Sequence, residues 1–164
     1  MQTNLAERYA NTADGREAED ILRKCVHCGF CTATCPTYQL LGDELDGPRG
    51  RIYQIKEVLE GATPTASMQT HLDRCLTCQS CETTCPSGVD YGRLADIGRK
   101  IVEDEVGRSW IQTLIRQALI LVIPNRQLFS VLMRVGQIFR PMMPAPIRRK
   151  IPQKQIAGLW PVRE

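Results

Sequence analysis

Long apolar runs are missing from this sequence of 164 residues. It has no stretch of eighteen uncharged apolar residues, so it predicts no transmembrane helix. The first twenty residues are polar and acidic, and they lack the basic flank and apolar core of a signal peptide. We therefore expect a cytoplasmic location, where reducing conditions disfavour structural disulfides and clustered cysteines usually bind metal.

Histidines and nucleotide-binding motifs are also scarce. His27 and His71 are the only histidines, and neither has the sequence setting of a catalytic triad or a metal site. The sequence contains no G-x-G-x-x-G and no other flavin fingerprint that we recognise. We therefore predict no catalytic residue in this chain, and we expect any flavin to be bound elsewhere.

Strand patterns are nearly absent, whereas helical periodicity recurs along the chain. Apolar residues spaced three or four apart predict several helices, and Asp90 and the pair Asp14 and Glu17 resemble helix N-terminal caps. The predicted helices cover residues 50–61 (Ile52, Ile55 and Leu59 on one face), residues 67–74, a segment after Asp14 and a segment after Asp90. The sequence therefore predicts an all-α fold.

Charge divides the chain into two parts. Residues 1–107 carry 11 Lys and Arg against 17 Asp and Glu, for a net charge of −6. Residues 108–164 carry 10 basic residues and one acidic residue, for a net charge of +9. The acidic part contains all eight cysteines, which makes nucleic acid a poor partner for the cysteine region.

An internal repeat contains those cysteines. Residues 24–37 read KCVHCGFCTATCPT and residues 74–87 read RCLTCQSCETTCPS, an offset of 50 residues. Both copies have the spacing C-x2-C-x2-C-x3-C-P, which is typical of ferredoxins with two [4Fe–4S] clusters. The cysteines of the two copies are Cys25, Cys28, Cys31 and Cys35, and Cys75, Cys78, Cys81 and Cys85.

The spacing also predicts how the ligands are shared. Three cysteines at two-residue intervals wrap a loop around one face of a cubane, while the fourth, followed by proline, commonly binds the other cluster. We therefore assign two crossed ligand sets. Cluster 1 is bound by Cys25, Cys28, Cys31 and Cys85, and cluster 2 by Cys75, Cys78, Cys81 and Cys35.

Two other uses of the cysteines explain the pattern less well. Structural zinc uses pairs of C-x2-C knuckles, and it gives no reason for a third cysteine two residues on or for the following proline. A disulfide framework fits neither the compartment nor the spacing. A zinc-bound interaction module remains a remote alternative to the iron–sulfur interpretation.

The segment GDELDGPRGR, residues 42–51, is rich in glycine but matches no phosphate-binding fingerprint. Two interpretations of Arg49 and Arg51 are open. Their side chains face a cluster or a partner subunit, or the segment is simply a turn that starts the next helix at Pro48.

The basic part of the chain has a different character. Residues 108–140 contain two amphipathic stretches, each too short or too interrupted by arginine to cross a bilayer. They are predicted to be helices that pack on a neighbouring domain or subunit, or that dock on a membrane surface. Residues 141–164 contain five of the ten prolines and are predicted to be an extended linker or tail. Residues 1–107 form the predicted two-cluster domain.

Beyond the cysteines, the chain resembles the iron–sulfur subunits of bacterial glycolate oxidase, also called glycolate dehydrogenase. The resemblance covers ILRKCVHCGFCTATCPTYQLLGDELDGPRGRIYQIKEVLEG and HLDRCLTCQSCETTCPSGVDYGRLADIGRKIVE, and it continues more weakly toward the C-terminus. It implies an α-helical ferredoxin-type domain in which all eight cysteines bind iron. The family continues into a second cysteine-rich half, which this sequence does not contain.

The resemblance also implies a function and partners. A partner subunit carrying FAD would oxidise glycolate to glyoxylate, and the iron–sulfur subunit would pass the electrons toward a quinone at the cytoplasmic face of the inner membrane. Related helical ferredoxin subunits serve lactate, glycerol-3-phosphate or succinate oxidation, or heterodisulfide reduction, and these remain alternatives for the complex.

Overall fold

The computed structural model describes residues 1–142, 144–149 and 151–152. Within these residues the chain is helical and contains no strand, which confirms the predicted all-α fold. The helices are α1 (Glu7–Ala10), α2 (Ala13–Lys24), α3 (Pro36–Leu41), α4 (Pro48–Leu59), α5 (Ala66–Asp73), α6 (Ser80–Thr83), α7 (Tyr91–Val106), α8 (Trp110–Val122), α9 (Arg126–Phe139) and α10 (Ala145–Arg148). Short 3-10 turns cover Phe30–Thr32, Glu44–Asp46 and Arg140–Met142.

The chain divides into two compact units, Met1–Arg108 and Ser109–Glu164. In the first unit, α7 packs against α2, α4 and α5. Their facing side chains form one apolar core that includes Leu22, Ile55, Leu59, Leu94 and Ile97, all of them buried. Each such side chain contributes roughly 1.5–3 kcal/mol when it leaves water. The core lies directly behind the two cysteine motifs, because Cys25 and Cys81 belong to it.

Most helix boundaries follow from local sequence. Helix α4 has Pro48 at its first turn, where a missing N–H costs nothing, and the chain leaves the helix through Gly61 at φ +109°. Helix α7 begins after Asp90, whose carboxylate accepts a hydrogen bond from the N–H of Arg93 at 3.1 Å, as predicted.

The predicted capping box at the start of α2 is wrong. The N-cap is Thr12, whose hydroxyl oxygen accepts the N–H of Gly15 at 2.9 Å. Asp14 and Glu17 therefore lie inside the helix, and their carboxylates are free to pair with Arg93 and Lys100 of α7. These ion pairs connect α2 to α7 on the surface of the first unit.

The second unit contains the two predicted amphipathic helices, α8 and α9. The side chain of Asn125 caps α9 by accepting the N–H of Leu128 at 3.1 Å. Many apolar side chains of this unit are exposed, including Trp110, Ile120 and Ile138. No single helix in the described residues is long and apolar enough to cross a membrane. The pair Trp110–Val122 and Arg126–Met142, bent by 114°, meets the length and composition requirements only when taken together.

An extended tail is predicted for residues 141–164, and only part of that segment belongs to the described residues. There, Ala145–Arg148 forms one helical turn, so this stretch is not extended. Residues 143, 150 and 153–164 lie outside the described residues.

Candidate iron–sulfur site

The two cysteine loops share an unusual backbone conformation. Positive φ angles occur at His27 (56°) and Gly29 (85°) in the first loop, and at Thr77 (51°) and Gln79 (58°) in the second. These are equivalent positions of the repeat. Three of the four residues are not glycine, and a positive φ is uncommon for residues other than glycine. Left-handed residues in such turns direct successive backbone N–H groups into a concavity that binds anions, including iron–sulfur clusters. Both loops are therefore shaped to surround a negatively charged group.

The first loop borders a cavity of about 440 Å³. Its lining includes all four residues predicted to bind cluster 1, Cys25, Cys28, Cys31 and Cys85, together with Cys81. Cys25 is buried whereas Cys28 is exposed, so the cavity extends from the apolar core to the surface.

The second loop borders a separate cavity of about 410 Å³. Its lining includes all four residues predicted to bind cluster 2, Cys35, Cys75, Cys78 and Cys81. Here Cys35 and Cys81 are buried and Cys78 is exposed, so this cavity also reaches the surface through the middle cysteine of its loop.

Crossing of the two motifs is visible in the placement of their fourth cysteines. Cys35, from the first motif, lies in the second cavity, and Cys85, from the second motif, lies in the first. The motifs also contact each other at equivalent residues. The hydroxyl of Thr84 donates to that of Thr34 at 3.3 Å, and Thr34 donates to the carbonyl of Ser80 at 3.2 Å. The cavities share a wall formed by Pro48, Cys81 and Tyr91.

Electrostatics around the thiols reflects their crowding. Burial, together with the neighbouring Cys25, Cys28 and Cys85, raises the pKa of Cys31. Burial, together with Cys31 and Cys75, raises the pKa of Cys81 to about 12. Cysteines crowded in this way bind a metal cation as thiolates, and metal binding displaces the thiol protons. Four cysteines around each of two cavities, with concave loops of N–H groups, fit two [4Fe–4S] clusters.

One thiol differs from these. Hydrogen bonds from the backbone N–H and the side chain of Ser80 lower the pKa of Cys78. Cys78 also lies on the exposed side of the second cavity, so it is both accessible and more readily ionised than an isolated thiol.

A buried polar network adjoins the second cavity. Arg51 lies in the cavity wall, and its guanidinium donates to the carbonyl of His71 at 2.8 Å and to the hydroxyl of Thr37 at 3.2 Å. Asp46 is fully buried, 3.5 Å from Arg51, and accepts a hydrogen bond from Arg74 at 2.8 Å. Burial acts to raise the pKa of Asp46, but hydrogen bonds from His71 and Arg74 outweigh it and lower the pKa.

The placement of the two arginines resolves the question left open by the sequence. Pro48 does start a helix, and Arg49 and Arg51 also line the first and the second cavity. Sequence reasoning missed Thr37, Asp46 and Tyr91 near the second cavity. Only the position of Thr37, directly after the C-P of the first motif, gave a local signal.

The histidines have different surroundings. His27 lies in the wall of the first cavity, with its ring centroid 5.0 Å from that of Tyr53. His71 has its Nδ1 atom 3.0 Å from a carboxylate oxygen of Asp46. Asp43 also brings a carboxylate near this pair, but Arg51 and Arg74 already balance the charge of Asp46.

Comparison with known proteins agrees with this geometry. Residues 21–89 match the 4Fe-4S dicluster domain family, which favours iron–sulfur clusters over zinc. The chain is 58% identical over 156 residues to the glycolate oxidase iron-sulfur subunit of Escherichia coli K12, which covers 95% of this chain and 38% of that protein. It is 39% identical over 113 residues to the probable glycolate oxidase iron-sulfur subunit of Bacillus subtilis, covering 68% of this chain and 26% of the relative.

A more distant similarity extends to a second class of oxidoreductase. The succinate dehydrogenase iron-sulfur subunit of Paracoccus denitrificans is 25% identical over 105 residues, covering 59% of this chain and 40% of the relative. The chain spans less than half the length of each of these relatives. Residues 21–89 thus match a 4Fe-4S dicluster domain, and nearly the whole chain is similar to part of a glycolate oxidase iron-sulfur subunit.

Proposed function

We propose that this chain transfers electrons through two [4Fe–4S] clusters as part of the iron–sulfur subunit of a glycolate oxidase complex. The observation that carries the proposal is the pair of adjacent cavities, each lined by one complete predicted set of four cysteines. Cys25, Cys28, Cys31 and Cys85 would hold cluster 1, and Cys75, Cys78, Cys81 and Cys35 would hold cluster 2. The 58% identity to a glycolate oxidase iron-sulfur subunit supports the choice of complex.

The proposed reaction is divided between subunits. FAD on a partner subunit takes two electrons from glycolate, which becomes glyoxylate and releases two protons. Each cluster, when bound, accepts and releases one electron at a time, so two clusters connect a two-electron oxidation to a quinone-type acceptor. The residues of this chain hold the clusters, exclude water from their inner faces and set their potentials.

Residues around the cavity mouths support electron exchange with a partner. Cys28 and Cys78 are the exposed ligands of the two sets, so the clusters would come nearest to the surface there. Val26 and Phe30 flank Cys28, Leu76 lies near Cys78, and all three apolar side chains are more than half exposed. Apolar surface next to an exposed ligand lets a redox partner approach closely while excluding water.

Metal analysis and reconstitution test the proposal. Anaerobically purified protein should contain about eight iron and eight sulfide per chain, as two [4Fe–4S] clusters require. It should be inactive with glycolate alone and should be reduced by glycolate once the flavoprotein partner is added. Zinc without sulfide would overturn the cluster proposal. Reduction by a flavoprotein specific for lactate or glycerol-3-phosphate, but not glycolate, would overturn the choice of complex and leave the clusters in place.

The complex is further proposed to lie at the cytoplasmic face of a membrane. Support comes from the second unit, which combines exposed apolar side chains on α8 and α9 with the net positive charge of residues 108–164. Binding of the purified holo-protein to vesicles with and without anionic lipid tests this. Binding that requires anionic lipid is expected, and no binding to either vesicle would instead indicate that these helices pack on a protein neighbour.

A further inference from the structure

Two sulfur atoms of the second cavity accept side-chain hydrogen bonds. The hydroxyl of Tyr91 donates to the Sγ atom of Cys75 at 3.6 Å. The hydroxyl of Thr37 lies 3.2 Å from the Sγ atom of Cys35, but it donates its single hydrogen to the carbonyl of Asp46 at 2.8 Å. The hydroxyl of Ser80 also bonds to Cys78. Two of the four cysteines in this set, Cys75 and Cys78, therefore have a hydroxyl donor that can stabilise negative charge on sulfur.

A buried cation lines the same cavity as these cysteines. Arg51 is only 1% exposed and lines the second cavity, where its guanidinium also donates to Thr37. Its Nη2 atom is buried and lies 3.5 Å from a carboxylate oxygen of Asp46, without a hydrogen bond in the described part of the chain. The carboxylate of Asp46 is shared between Arg51 and Arg74, so it offsets only part of the Arg51 charge.

The cation of the first cavity has a different setting. Arg49 lines that cavity, but its side chain is 38% exposed and its Nε atom lies 2.6 Å from a carboxylate oxygen of Glu44. The exposed pair is close to neutral as a unit, and water screens what remains of its field. Its effect on a charge inside the first cavity is therefore weaker than the effect of buried Arg51 on the second.

Reduction adds one electron to a cluster that is already negative. Hydrogen bonds to the sulfurs and a nearby buried cation stabilise the reduced form more than the oxidised form, which raises the reduction potential. Tyr91 contributes from the wall shared by the two cavities, and its side chain is buried, so its bond to Cys75 is shielded from competition with water.

We propose that Arg51 and Tyr91 hold cluster 2 at a higher reduction potential than cluster 1. An electron entering the domain then comes to rest in the second cavity, and cluster 1 is the relay that supplies it. Both are tuning residues: Tyr91 acts through its hydrogen bond to the Sγ atom of Cys75, and Arg51 acts through its buried positive charge. This inference rests on the proposed occupation of both cavities by [4Fe–4S] clusters.

A redox titration of the anaerobic holo-protein, followed by electron paramagnetic resonance, tests the inference. We expect two midpoint potentials in the wild-type chain. Arg51→Gln should lower only the higher one, with at least a tenfold change in the reduction equilibrium, or about 59 mV for a one-electron couple. Arg51→Lys should restore most of that change, because it returns the charge.

Tyr91→Phe provides a variant that keeps the buried ring. It removes only the hydroxyl bonded to Cys75, so the fold should be retained and the higher potential should fall by less than in Arg51→Gln. Arg49→Gln is the matched control at the first cavity, and it should leave the higher potential unchanged. Cys28→Ala, which removes a ligand of cluster 1 only, should leave a single midpoint equal to the higher one.

Three results would overturn the inference. They are an unchanged higher potential in Tyr91→Phe with full iron content, a shift confined to the lower potential, or survival of the lower midpoint in Cys28→Ala. The titration uses dithionite and dye mediators and needs neither glycolate nor a flavoprotein. A failure of the proposed glycolate function would therefore leave this test intact, and an iron count below two clusters would reveal failure of the occupation itself.

Discussion

Asp46 is the residue on which the polar network beside the second cavity depends. It is fully buried, and two guanidinium groups and the ring of His71 face its carboxylate. Removing one partner of a buried ion pair leaves an uncompensated charge, which costs about 3–5 kcal/mol. Because hydrogen bonds lower its pKa, this stabilisation is complete at neutral pH and is lost only as pH falls below the ordinary carboxyl value of 3.8.

Asp46→Asn is therefore expected to destabilise the first unit by about 3–5 kcal/mol at pH 7. Guanidinium unfolding under anaerobic conditions, followed by helical circular dichroism and by the cluster absorbance, measures the change. Asp104→Asn, at an exposed position of α7, is the matched control and should change stability by less than about 0.5 kcal/mol. Equal free energies of unfolding for the two variants would contradict the stabilising role of Asp46.

Cys78 offers a test of thiol electrostatics in the iron-free protein. Its pKa is lowered by the backbone and side chain of Ser80, so its alkylation should set in at a lower pH than that of an unperturbed thiol. Cys81, with a pKa of about 12, should react only at much higher pH. Ser80→Ala should move the pH profile of Cys78 alkylation, read by mass spectrometry, to higher pH. An unchanged profile would contradict the assigned role of the Ser80 hydroxyl.

At the residue scale, the spacing of the repeat predicts two crossed sets of four cysteines, and the structure places each set around one cavity, with Cys81 in the wall of both. Thr37, Asp46 and Tyr91 were beyond sequence reasoning because their roles depend on tertiary contacts. Tyr91, for example, reaches Cys75 from sixteen residues along the chain. No local pattern indicates that a tyrosine hydroxyl will point at a sulfur.

Two helices of the first unit approach each other closely where α7 crosses α4. A Cβ atom at Gly98 would lie 2.5 Å from the Cγ1 atom of Ile55, which is itself buried in the core. The absence of a side chain at Gly98 is thus what allows these helices to pack, and it keeps α4, with both cavity-lining arginines, against the core.

Gly98→Ala should therefore destabilise the unit by about 1–3 kcal/mol through overpacking, although alanine favours helices elsewhere. Gly136→Ala in α9 is the matched control, because its Cβ would meet the nearest atom at 3.5 Å, an ordinary contact. Guanidinium unfolding of both variants measures the change in the free energy of unfolding. A stabilising effect of Gly98→Ala alone would contradict the packing described here.

Elements were more predictable than their contacts. Periodicity placed the helices around Ile52, Ile55 and Leu59 and after Asp90 correctly, because one buried face leaves a clear pattern. The cap of α2 was misplaced because Thr12 and Asp14 are both good N-cap residues, and the choice between them depends on Arg93 and Lys100 of α7 binding Asp14.

At the scale of the whole molecule, all eight cysteines belong to the first of the two compact units. The first ends at Arg108, whose guanidinium binds Asp73 at 2.7 Å and also Glu103, so that α5 is fastened to the end of α7. The first unit thus contains its own core, both cavities and a closing ion-pair cluster. The change from net negative to net positive charge after residue 107 predicts nearly the same division.

A chain ending at Arg108 should accordingly keep its clusters. Residues 1–108, expressed anaerobically, are expected to retain about eight iron per chain and the two midpoint potentials of the longer protein. They should lose any binding to anionic vesicles that α8 and α9 provide. Loss of iron from this shortened chain, with its helicity preserved, would show that the second unit contributes to the site.

The central claim is that each cluster takes three cysteines from one motif and the fourth from the other, and paired substitutions test it most directly. In Cys35→Ala with Cys78→Ala, both losses fall in the second cavity, so cluster 1 should survive with about four iron and four sulfide per chain. In Cys35→Ala with Cys28→Ala, the losses fall in different cavities, and the iron count should drop well below that of the first pair. The opposite order, with more iron retained in the pair containing Cys28→Ala, would contradict crossed ligation.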